Sequence, residues 1–593
     1  MSSRQCKSGI SRRDFVKTMG WGLGALQTAG MGAGILQLTG CGGGSSPGPQ
    51  PVPTPQIVSW PISREVYTTA VRQVCPLVVP ATAPQINPGE VADYATYGYS
   101  AWRFGGPLQH VVRKDIAPGY TAAPNVVRLL FYYSMSDIHI ADKDSPAQPI
   151  YEGLSCGWGS GLSSAYSPII LSTPQVLDAA VQTINALHKM TPFDFGISLG
   201  DDCNNSQYNE VRWFLDVIDG KVITPSSGTH VGAATIDYQR PFYAAGLNPA
   251  IPWYQVIGNH DQFWMGSSFE NATMRATHIG SNILNIAVSC GRPDLESTGA
   301  YMGVVDGSTI YGNIIGDGLT ADVIPPPTVI ADANRRSLTS PTSTTQNWMA
   351  EFFNTTSNPV GHGFTQANLD QGLACYSFVP KSDIPIKFIV LDDTVKGPGL
   401  DEYAVGSLDD QRYQWLVDEL HAGQVNNQLM VICAHVPIGP QTSLTDTTPY
   451  HMWPGPEYTD ESVLNLLHRY PNLILWMAGH RHVNVVTPQP DHDPTLAFWE
   501  VETCSLRDFP QQFRTFDIRR NADNTVSIII TNVDPAVQLG SPAYKSRGYA
   551  IGAARIFGSY PLNDKSSQSY NAELVVQLTP VMQSVISPAG TNL

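Results

Sequence analysis

Positive charge is scarce in this chain of 593 residues, which contains 34 Lys and Arg residues but 50 Asp and Glu residues. A surface short of basic residues repels polyanions, which argues against long nucleic acid as the default partner. Charged residues of both signs make up only 14% of the chain, whereas 42% are hydrophobic. Together with 52 glycines and 46 prolines, this composition predicts a globular protein with a large core and many ordered turns.

Closely spaced pairs of cysteines are also absent from the sequence. No CxxC pair occurs among the nine cysteines, so a zinc knuckle is not predicted. Excluding Cys6 and Cys41, which belong to the N-terminal segment described next, leaves seven cysteines, an odd number that cannot all pair within one chain. Their connectivity cannot be deduced from spacing alone.

The N-terminus has the features of an export signal. Residues 11–17 (SRRDFVK) resemble a twin-arginine signal, and residues 38–41 (LTGC) resemble a lipobox in which Cys41 is lipidated. An ordinary membrane helix is the alternative, but six glycines between residues 20 and 34 make a poor membrane span. We expect a periplasmic or cell-surface protein, exported by a twin-arginine-type route and anchored to the membrane by lipid.

The chain therefore divides into three parts: a signal with its lipobox (1–40), a flexible Gly/Ser/Pro tether (41–56) and one large domain (57–593). The signal contains five basic residues and one acidic residue, so its removal leaves 29 basic against 49 acidic residues and a net charge of −20. Part of this negative charge would be neutralised by bound cations.

Alternating strands and helices indicate an α/β core. Continuous apolar runs typical of buried strands are Val127–Ser134, Phe195–Leu199, Trp253–Ile257, Ile386–Leu391, Leu429–Cys433 and Leu473–Met477. Helices are predicted from Thr173, over Glu210–Ile218, from Ser407–Asp410 to Gly423, and from Thr459. Later strands, within about 497–533, suggest a second sheet packed on the first. Stretches rich in Gly, Ser, Pro and Asn, about 141–172 and 262–383, are interpreted as insertions around an active site.

Side chains suited to metal binding follow five of the six apolar runs. They are Asp137 and His139 after the first, Asp201 after the second, Asn259 and His260 after the third, His435 after the fifth, and His480 and His482 after the sixth. Ligands of open α/β sheets bind beyond the carboxyl ends of the strands, so these side chains are expected to converge. Carboxylate, imidazole and amide together suit Mn, Fe or Zn better than copper or magnesium. The residue types alone leave open whether one metal binds or two.

The ordered blocks D-x-H, G-D, G-N-H-D, H and G-H-x-H, within residues 137–482, resemble those of the calcineurin-like metallophosphoesterase superfamily. The resemblance implies an α/β fold in four layers: an αββα sandwich of two mixed sheets flanked by helices. It also implies two ions. Asp137, His139 and His482 would hold the first, Asn259, His435 and His480 the second, and Asp201 would bridge them with one oxygen to each.

The chemistry implied by this resemblance is hydrolysis of a phosphate ester by a hydroxide shared between the two ions. His260 would protonate the leaving group or bind a phosphoryl oxygen. The chain departs from purple acid phosphatases and protein phosphatases after Asp201, where Asn204 and Asn205 stand in place of the tyrosine of the former or the acid of the latter. These asparagines, with Arg481, are candidate substrate contacts, although Arg481 could equally point to solvent.

The sequence therefore predicts a metal-dependent phosphomonoesterase or phosphodiesterase of the cell envelope. Its partners would be a small phosphate ester and the membrane that holds its anchor, with no protein partner predicted. The alternative is a non-catalytic lipoprotein that uses the same fold to bind a metal or another ligand. The residues do not decide between monoester and diester, or fix the metal, the oligomeric state or the disulfides.

Overall fold

The computed structural model describes residues 55–122, 126–151, 165–285, 300–319, 326–340, 345–395, 405–442, 449–558 and 571–586. The export signal, Cys41 and the tether up to residue 54 lie outside this part of the chain, so the expectations for them stay predictions. Cys156 and Cys290 also lie outside it, and the five cysteines reported within it are free thiols. Among the described residues, no helix combines the length and the apolar character needed to cross a membrane.

Strands and helices alternate through most of the described chain. The strands are β1 Gln73–Pro76, β2 Trp102–Gly105, β3 Val111–Arg113, β4 Val126–Met135, β5 Phe195–Ser198, β6 Val222–Ile223, β7 Phe242–Tyr243, β8 Trp253–Gln255, β9 Ala300–Val305, β10 Ile314–Leu319, β11 Tyr376–Phe378, β12 Ile386–Val390, β13 Leu429–Cys433, β14 Pro440–Thr442, β15 Pro449–His451, β16 Leu473–Ala478, β17 Val485–Gln489, β18 Phe498–Glu502, β19 Phe513–Asn521, β20 Thr525–Val533 and β21 Ala572–Gln577. The α-helices are α1 Val91–Thr96, α2 Thr173–Met190, α3 Tyr208–Ile218, α4 Asn259–Gln262, α5 Ala272–Ile279, α6 Gln346–Glu351, α7 Gln366–Gln371, α8 Asp410–Val425, α9 Asp460–Leu467, α10 Pro542–Phe557 and α11 Pro580–Val585.

Two large mixed sheets organise the molecule. The seven-stranded sheet has the order β3-β21-β20-β19-β4-β5-β8, with β4, β5 and β8 parallel and β19 antiparallel to β4. The six-stranded sheet has the order β11-β12-β13-β16-β18-β17, with β12, β13, β16 and β18 parallel and an antiparallel strand at each edge. The predicted mixed α/β architecture with two multi-stranded mixed sheets is thereby confirmed.

One hydrophobic core joins the two sheets. Tyr132 of β4 stacks between Phe195 and Phe516 at ring distances of 4.6 and 5.0 Å, and it meets Phe388 of the other sheet edge-on at 5.3 Å. The indole of Trp499 on β18 donates a hydrogen bond to the Val575 carbonyl on β21, again across the sheets, at 3.0 Å. Burying this aromatic surface fixes the two sheets relative to each other, so loops from both can build one site.

The late strands do not form the separate sheet predicted for them. β18 continues the sheet of β12, β13 and β16, whereas β19 and β20 continue the sheet of β4, β5 and β8. The six apolar runs are therefore shared equally between the sheets, three in each. The late strands extend the sheets from edges that these runs leave open. Such pairing depends on tertiary contacts, which the hydrophobic periodicity of the sequence does not reveal.

The start of α9 follows the predicted Thr459, whereas α8 begins at Asp410 and is capped by Asp409, two residues after the predicted Ser407. The Thr459 side chain accepts a hydrogen bond from Ser462 N at the start of α9, and Asp409 accepts one from Arg412 N at the start of α8. α8 continues past Gly423 to Val425, so this glycine does not end the helix. It lies instead on the buried face of α8, where a side chain would not fit. A Cβ there would lie 2.4 Å from the Met430 sulfur.

Candidate metal centre

The loops that carry the expected ligands lie together, after the carboxyl ends of parallel strands in both sheets. Asp137 N donates to the Gly200 carbonyl at 3.0 Å, and His139 N to the Asp201 carbonyl at 2.9 Å. In the other sheet, Gly479 N donates to the His435 carbonyl at 2.9 Å. The ligand loops are therefore tied to one another through their main chains before any metal is considered.

The structure brings together the three residues expected at the first position. The ligand atoms of Asp137, His139 and His482 lie within 4.8 Å of one another. His139 Nε2 and His482 Nε2 approach to 3.0 Å, and His482 Nε2 lies 3.3 Å from Asp137 Oδ1. The first two residues are fully buried and His482 is partly buried.

Asp201, His435 and His480 form a second group within the same limit of 4.8 Å. His435 Nε2 lies 3.2 Å from Asp201 Oδ2, and His480 Nδ1 lies 3.0 Å from Asn259 Oδ1. The amide orientation of Asn259 is fixed because its Nδ2 donates to the Gly266 carbonyl at 3.0 Å. The amide oxygen is therefore the atom that faces His480, as a metal ligand requires.

Asp201 links the two groups through one oxygen rather than two. Its Oδ2 lies 3.6 Å from His139 Nε2 as well as 3.2 Å from His435 Nε2. Its Oδ1 instead accepts a hydrogen bond from His260 N at 2.8 Å. Oδ2 is therefore the oxygen that lies close to both groups, and the expected arrangement of one carboxylate oxygen for each ion stays a prediction.

Left-handed backbone conformations mark most of these ligands. Asp137, His139, Asp201, His480 and His482 have φ angles of 51°, 47°, 58°, 71° and 59°. Residues with a side chain adopt this region uncommonly, and each such residue costs of order 1–3 kcal/mol. Strain of this kind persists where surrounding contacts impose it, and it clusters at functional sites.

Two glycines permit the close approach of the loops. A Cβ on Gly258 would lie 2.2 Å from Asp201 Oδ1 and 2.3 Å from Asp201 N. Gly200 has a φ of +95°, and a Cβ there would lie 2.6 Å from Gly258 N. A side chain at Gly258 would therefore collide with the Asp201 carboxylate, and one at Gly200 with the main chain of Gly258.

The electrostatics of the buried cluster favour a cation. Burial lowers the pKa of a histidine, but at His435 the Asp201 and Asp137 carboxylates and the Leu199 carbonyl together outweigh burial, and the pKa rises to about 10. At His482 burial is likewise outweighed, here by Asp137 and Asp508, and the pKa again rises to about 10. At His139 burial and the neighbouring imidazoles hold the pKa well below its usual value. The carboxylates thus attract positive charge. Of the three imidazoles, only His435 and His482 readily provide it by binding a proton.

The tautomers of two histidines also fit metal ligation. His435 Nδ1 is 2.7 Å from the Leu199 carbonyl, and His482 Nδ1 is 2.6 Å from Asp508 Oδ2. Each Nδ1 therefore keeps its proton, and each Nε2 is the atom that could bind an ion after giving up its own proton. The donor set and its geometry fit metal ions held by carboxylate, imidazole and amide groups.

His260 stands beside both groups. Its ring lies edge-on to His139 at 4.4 Å, and its Nδ1 is 2.7 Å from the Asn204 carbonyl. One of its nitrogens also falls within 4.8 Å of ligand atoms of His139 and Asp201. Burial lowers its pKa, while the Asp201 carboxylate and the Asn204 carbonyl oppose that effect.

The side chains of the three residues predicted to contact substrate bind other side chains of the protein. Asn204 and Asn205 are buried, and both side-chain amides donate to Gln148 Oε1, at 2.9 and 2.6 Å. The Arg481 guanidinium forms a two-pronged ion pair with Glu502, with Nε to Oε2 at 2.6 Å. Their contact with a substrate stays a prediction.

Several residues that build the centre were given no role from the sequence. Asp261 accepts hydrogen bonds from the main-chain N–H groups of Gly258, Asp201, Asp202 and Cys203 at 2.8–3.3 Å. Asp393, which follows the fourth apolar run, accepts hydrogen bonds from His435 N and Val436 N at 3.1 and 2.9 Å.

Asp261 stands inside a recognisable motif, so its place in the sequence could have indicated this bridging role. Asp508 bonds to a histidine 26 residues away in sequence and lies in no motif, so no local pattern predicts its contact with His482.

Comparison with known proteins adds little to this geometry. No protein-family model matches the sequence, and no curated protein matches it. Among solved structures, the chain is similar to a dimetal phosphatase from Danio rerio, with 13% identity and a TM-score of 0.33, over 70% of this chain and 100% of the other. Similarity of this degree does not establish a shared family. The chain is thus a mixed α/β protein whose buried Asp and His residues form groups able to hold metal ions.

Proposed function

We propose that this protein is a dinuclear metallophosphoesterase, a hydrolase that cleaves phosphate monoesters or diesters. The observation that carries the proposal is the pair of ligand groups, Asp137–His139–His482 and Asp201–His435–His480, joined through Asp201 Oδ2. The four-layer αββα arrangement implied by the motif resemblance is part of the same proposal. It is supported by the two mixed sheets that share a core.

Asp201 has the central role among the protein groups. Burial tends to raise its pKa, but His435 and His260 outweigh burial and lower it, so the carboxylate is ionised. When bound, two ions would activate a water molecule as the nucleophile and offset the charge that develops on the phosphoryl oxygens. Asn259 completes the ligand set at the second position, through the amide oxygen that faces His480.

His260 is the residue that we expect to protonate the leaving group. Its Nδ1 hydrogen is donated to the Asn204 carbonyl, which leaves Nε2 as the nitrogen that exchanges a proton with substrate. The main-chain bond from His260 N to Asp201 Oδ1 fixes the residue relative to the bridging carboxylate. A protonated His260 would donate to the departing alkoxide or to a phosphoryl oxygen.

The cellular setting is also a proposal. The twin-arginine-type signal and the lipobox at Cys41 support export and a lipid anchor in the cell envelope. The excess of acidic over basic residues supports small phosphate esters over long nucleic acid as substrates. No feature of the described residues leads us to propose a protein partner.

An activity screen combined with elemental analysis tests the function. Full-length protein loaded with Mn²⁺, Fe²⁺ or Zn²⁺ is assayed on nitrophenyl phosphate, bis-nitrophenyl phosphate and nucleotides. We expect two ions per chain and turnover of at least one ester class. The Asp201→Asn variant should lose turnover and bind less metal, because it lacks the charge shared by both groups. A protein with two bound ions and no activity on any ester would contradict the proposal and favour a non-catalytic binding protein.

A further inference from the structure

The turn Ser505–Asp508 contacts the first metal position from outside the ligand motifs. Ser505 Oγ donates to the Asp137 carbonyl at 2.6 Å. The same hydroxyl accepts hydrogen bonds from Arg507 N at 2.9 Å and from Asp508 N at 3.1 Å. One buried hydroxyl therefore closes the turn and attaches it to the main chain of the first ligand.

This attachment places Asp508 against His482. Asp508 Oδ2 lies 2.6 Å from His482 Nδ1, and the two side chains are 15% and 20% exposed. A carboxylate at this distance holds a proton on Nδ1, so Nε2 is the nitrogen that would exchange its own proton for a metal ion. That Nε2 is the atom 3.3 Å from Asp137 Oδ1 and 3.0 Å from His139 Nε2, where the first ion would sit.

His435, at the second position, is oriented in a different way. Its Nδ1 donates to the Leu199 carbonyl at 2.7 Å, a neutral main-chain acceptor. A carboxylate partner raises the basicity of a ligating imidazole, whereas a carbonyl mainly fixes its orientation. His482 should therefore be the stronger donor of the two.

We propose that Asp508 is a positioning residue that sets the metal affinity of the first position through His482. The inference rests on the proposed metal centre but not on the reaction. It assigns a function in metal binding to a residue between β18 and β19, beyond the last ligand motif. Ser505 contributes by holding the turn on Asp137.

Metal titration of the full-length protein tests this inference. The chain is stripped with a chelator and titrated with Zn²⁺ by calorimetry, as wild type, Asp508→Asn and Asp508→Ala. We expect two binding steps in the wild type. Asp508→Ala should weaken one step by about 10–100-fold and leave the other unchanged. Asp508→Asn keeps the shape but loses the charge, so it should weaken the same step by a smaller factor.

The chain offers a matched control in Asp460. Its Oδ2 lies 2.5 Å from His451 Nδ1, the same kind of bond, at a histidine outside the metal groups. Asp460→Asn should leave both binding steps unchanged. Circular dichroism of the stripped variants checks that the fold is retained, and Asp508→Asn remains informative if the alanine variant does not fold.

The outcomes separate this inference from the proposed function. Two unchanged steps in both Asp508 variants would overturn the inference while leaving the metallophosphoesterase proposal intact. Equal weakening of both steps would also overturn it, because Asp508 would then act on the whole fold. A wild type that binds no Zn²⁺ would overturn the metal centre and this inference with it.

Discussion

Individual ligands of the candidate centre are held in backbone conformations that other residues must stabilise. Five of them have positive φ angles, at a cost of order 1–3 kcal/mol each. Asp261 offsets part of this cost at Asp201, because its carboxylate accepts four main-chain N–H groups from the two adjoining loops. At His480, the main-chain N–H donates to both oxygens of Asp137 at 3.0–3.1 Å. The ligands thus stabilise one another's strained conformations.

The role of His260 gives the first residue-scale prediction. A general acid matters most when the leaving group is a strong base, so His260→Ala should lower kcat/KM for alkyl phosphates by about 10²–10⁴-fold. Nitrophenyl esters, whose leaving group departs without a proton, should lose far less. The measurement is kcat/KM for both ester types. Equal losses on both would contradict a general-acid role.

Among the loops, residues 262–268 contact two residues of the centre, Asn259 and His260. Gly266 accepts a hydrogen bond from Asn259 Nδ2 through its carbonyl, and its φ is +64°. A Cβ at this position would lie 2.1 Å from Asn259 Nδ2 and 2.3 Å from the His260 ring. The loop belongs to the sequence predicted to be an insertion near the active site. It therefore takes part in building the second metal position.

Gly266→Ala should displace Asn259 and His260. We expect lower turnover and weaker binding of one metal ion, measured by steady-state kinetics and Zn²⁺ titration. Gly558→Ala is the matched control, because Gly558 has a φ of +63° but open space around a Cβ. Both variants carry the backbone strain of alanine in the left-handed region, roughly 1–2 kcal/mol. Equal behaviour of the two variants would show that the contact with Asn259 and His260 has no effect.

Element by element, the sequence predicts strand ends better than strand partners. A buried run followed by Gly-Asp or Gly-Asn-His marks both a strand and the end where polar side chains gather, so the members of the candidate metal groups could be selected from the sequence. The pairing of β19 with β4 depends on contacts between residues almost 400 positions apart, such as Arg128 and Asp517. The Asp508–His482 bond has the same origin, since only the folded turn brings the two together.

At the scale of the whole molecule, the segment 262–383 is attached to β8, the edge strand of the seven-stranded sheet, through the buried His362. The His362 ring stacks on Trp253 of β8 at 3.6 Å, and its Nδ1 is 3.1 Å from the Trp253 carbonyl. Gln255 N donates to the His362 carbonyl at 3.0 Å, which extends the edge of the seven-stranded sheet. His362 therefore has a packing role at this edge of the sheet.

The titration of His362 should make stability depend on pH in a defined range. Burial lowers its pKa from 6.5 to about 4. The unfolded chain therefore binds a proton between these two values while the folded protein does not, so the free energy of unfolding falls as pH falls from 6.5 to 4. A shift of this size corresponds to roughly 3 kcal/mol in total.

Urea unfolding of chelator-treated protein, at intervals from pH 7 to pH 4, tests this dependence. His362→Gln has no charge to gain, so it should be less stable than wild type at pH 7 and lose that disadvantage progressively towards pH 4. Carboxyl groups titrate equally in both proteins and cancel in the difference between them. A difference for His362→Gln that does not change with pH would mean that the buried ring gains its proton as easily as the unfolded chain does.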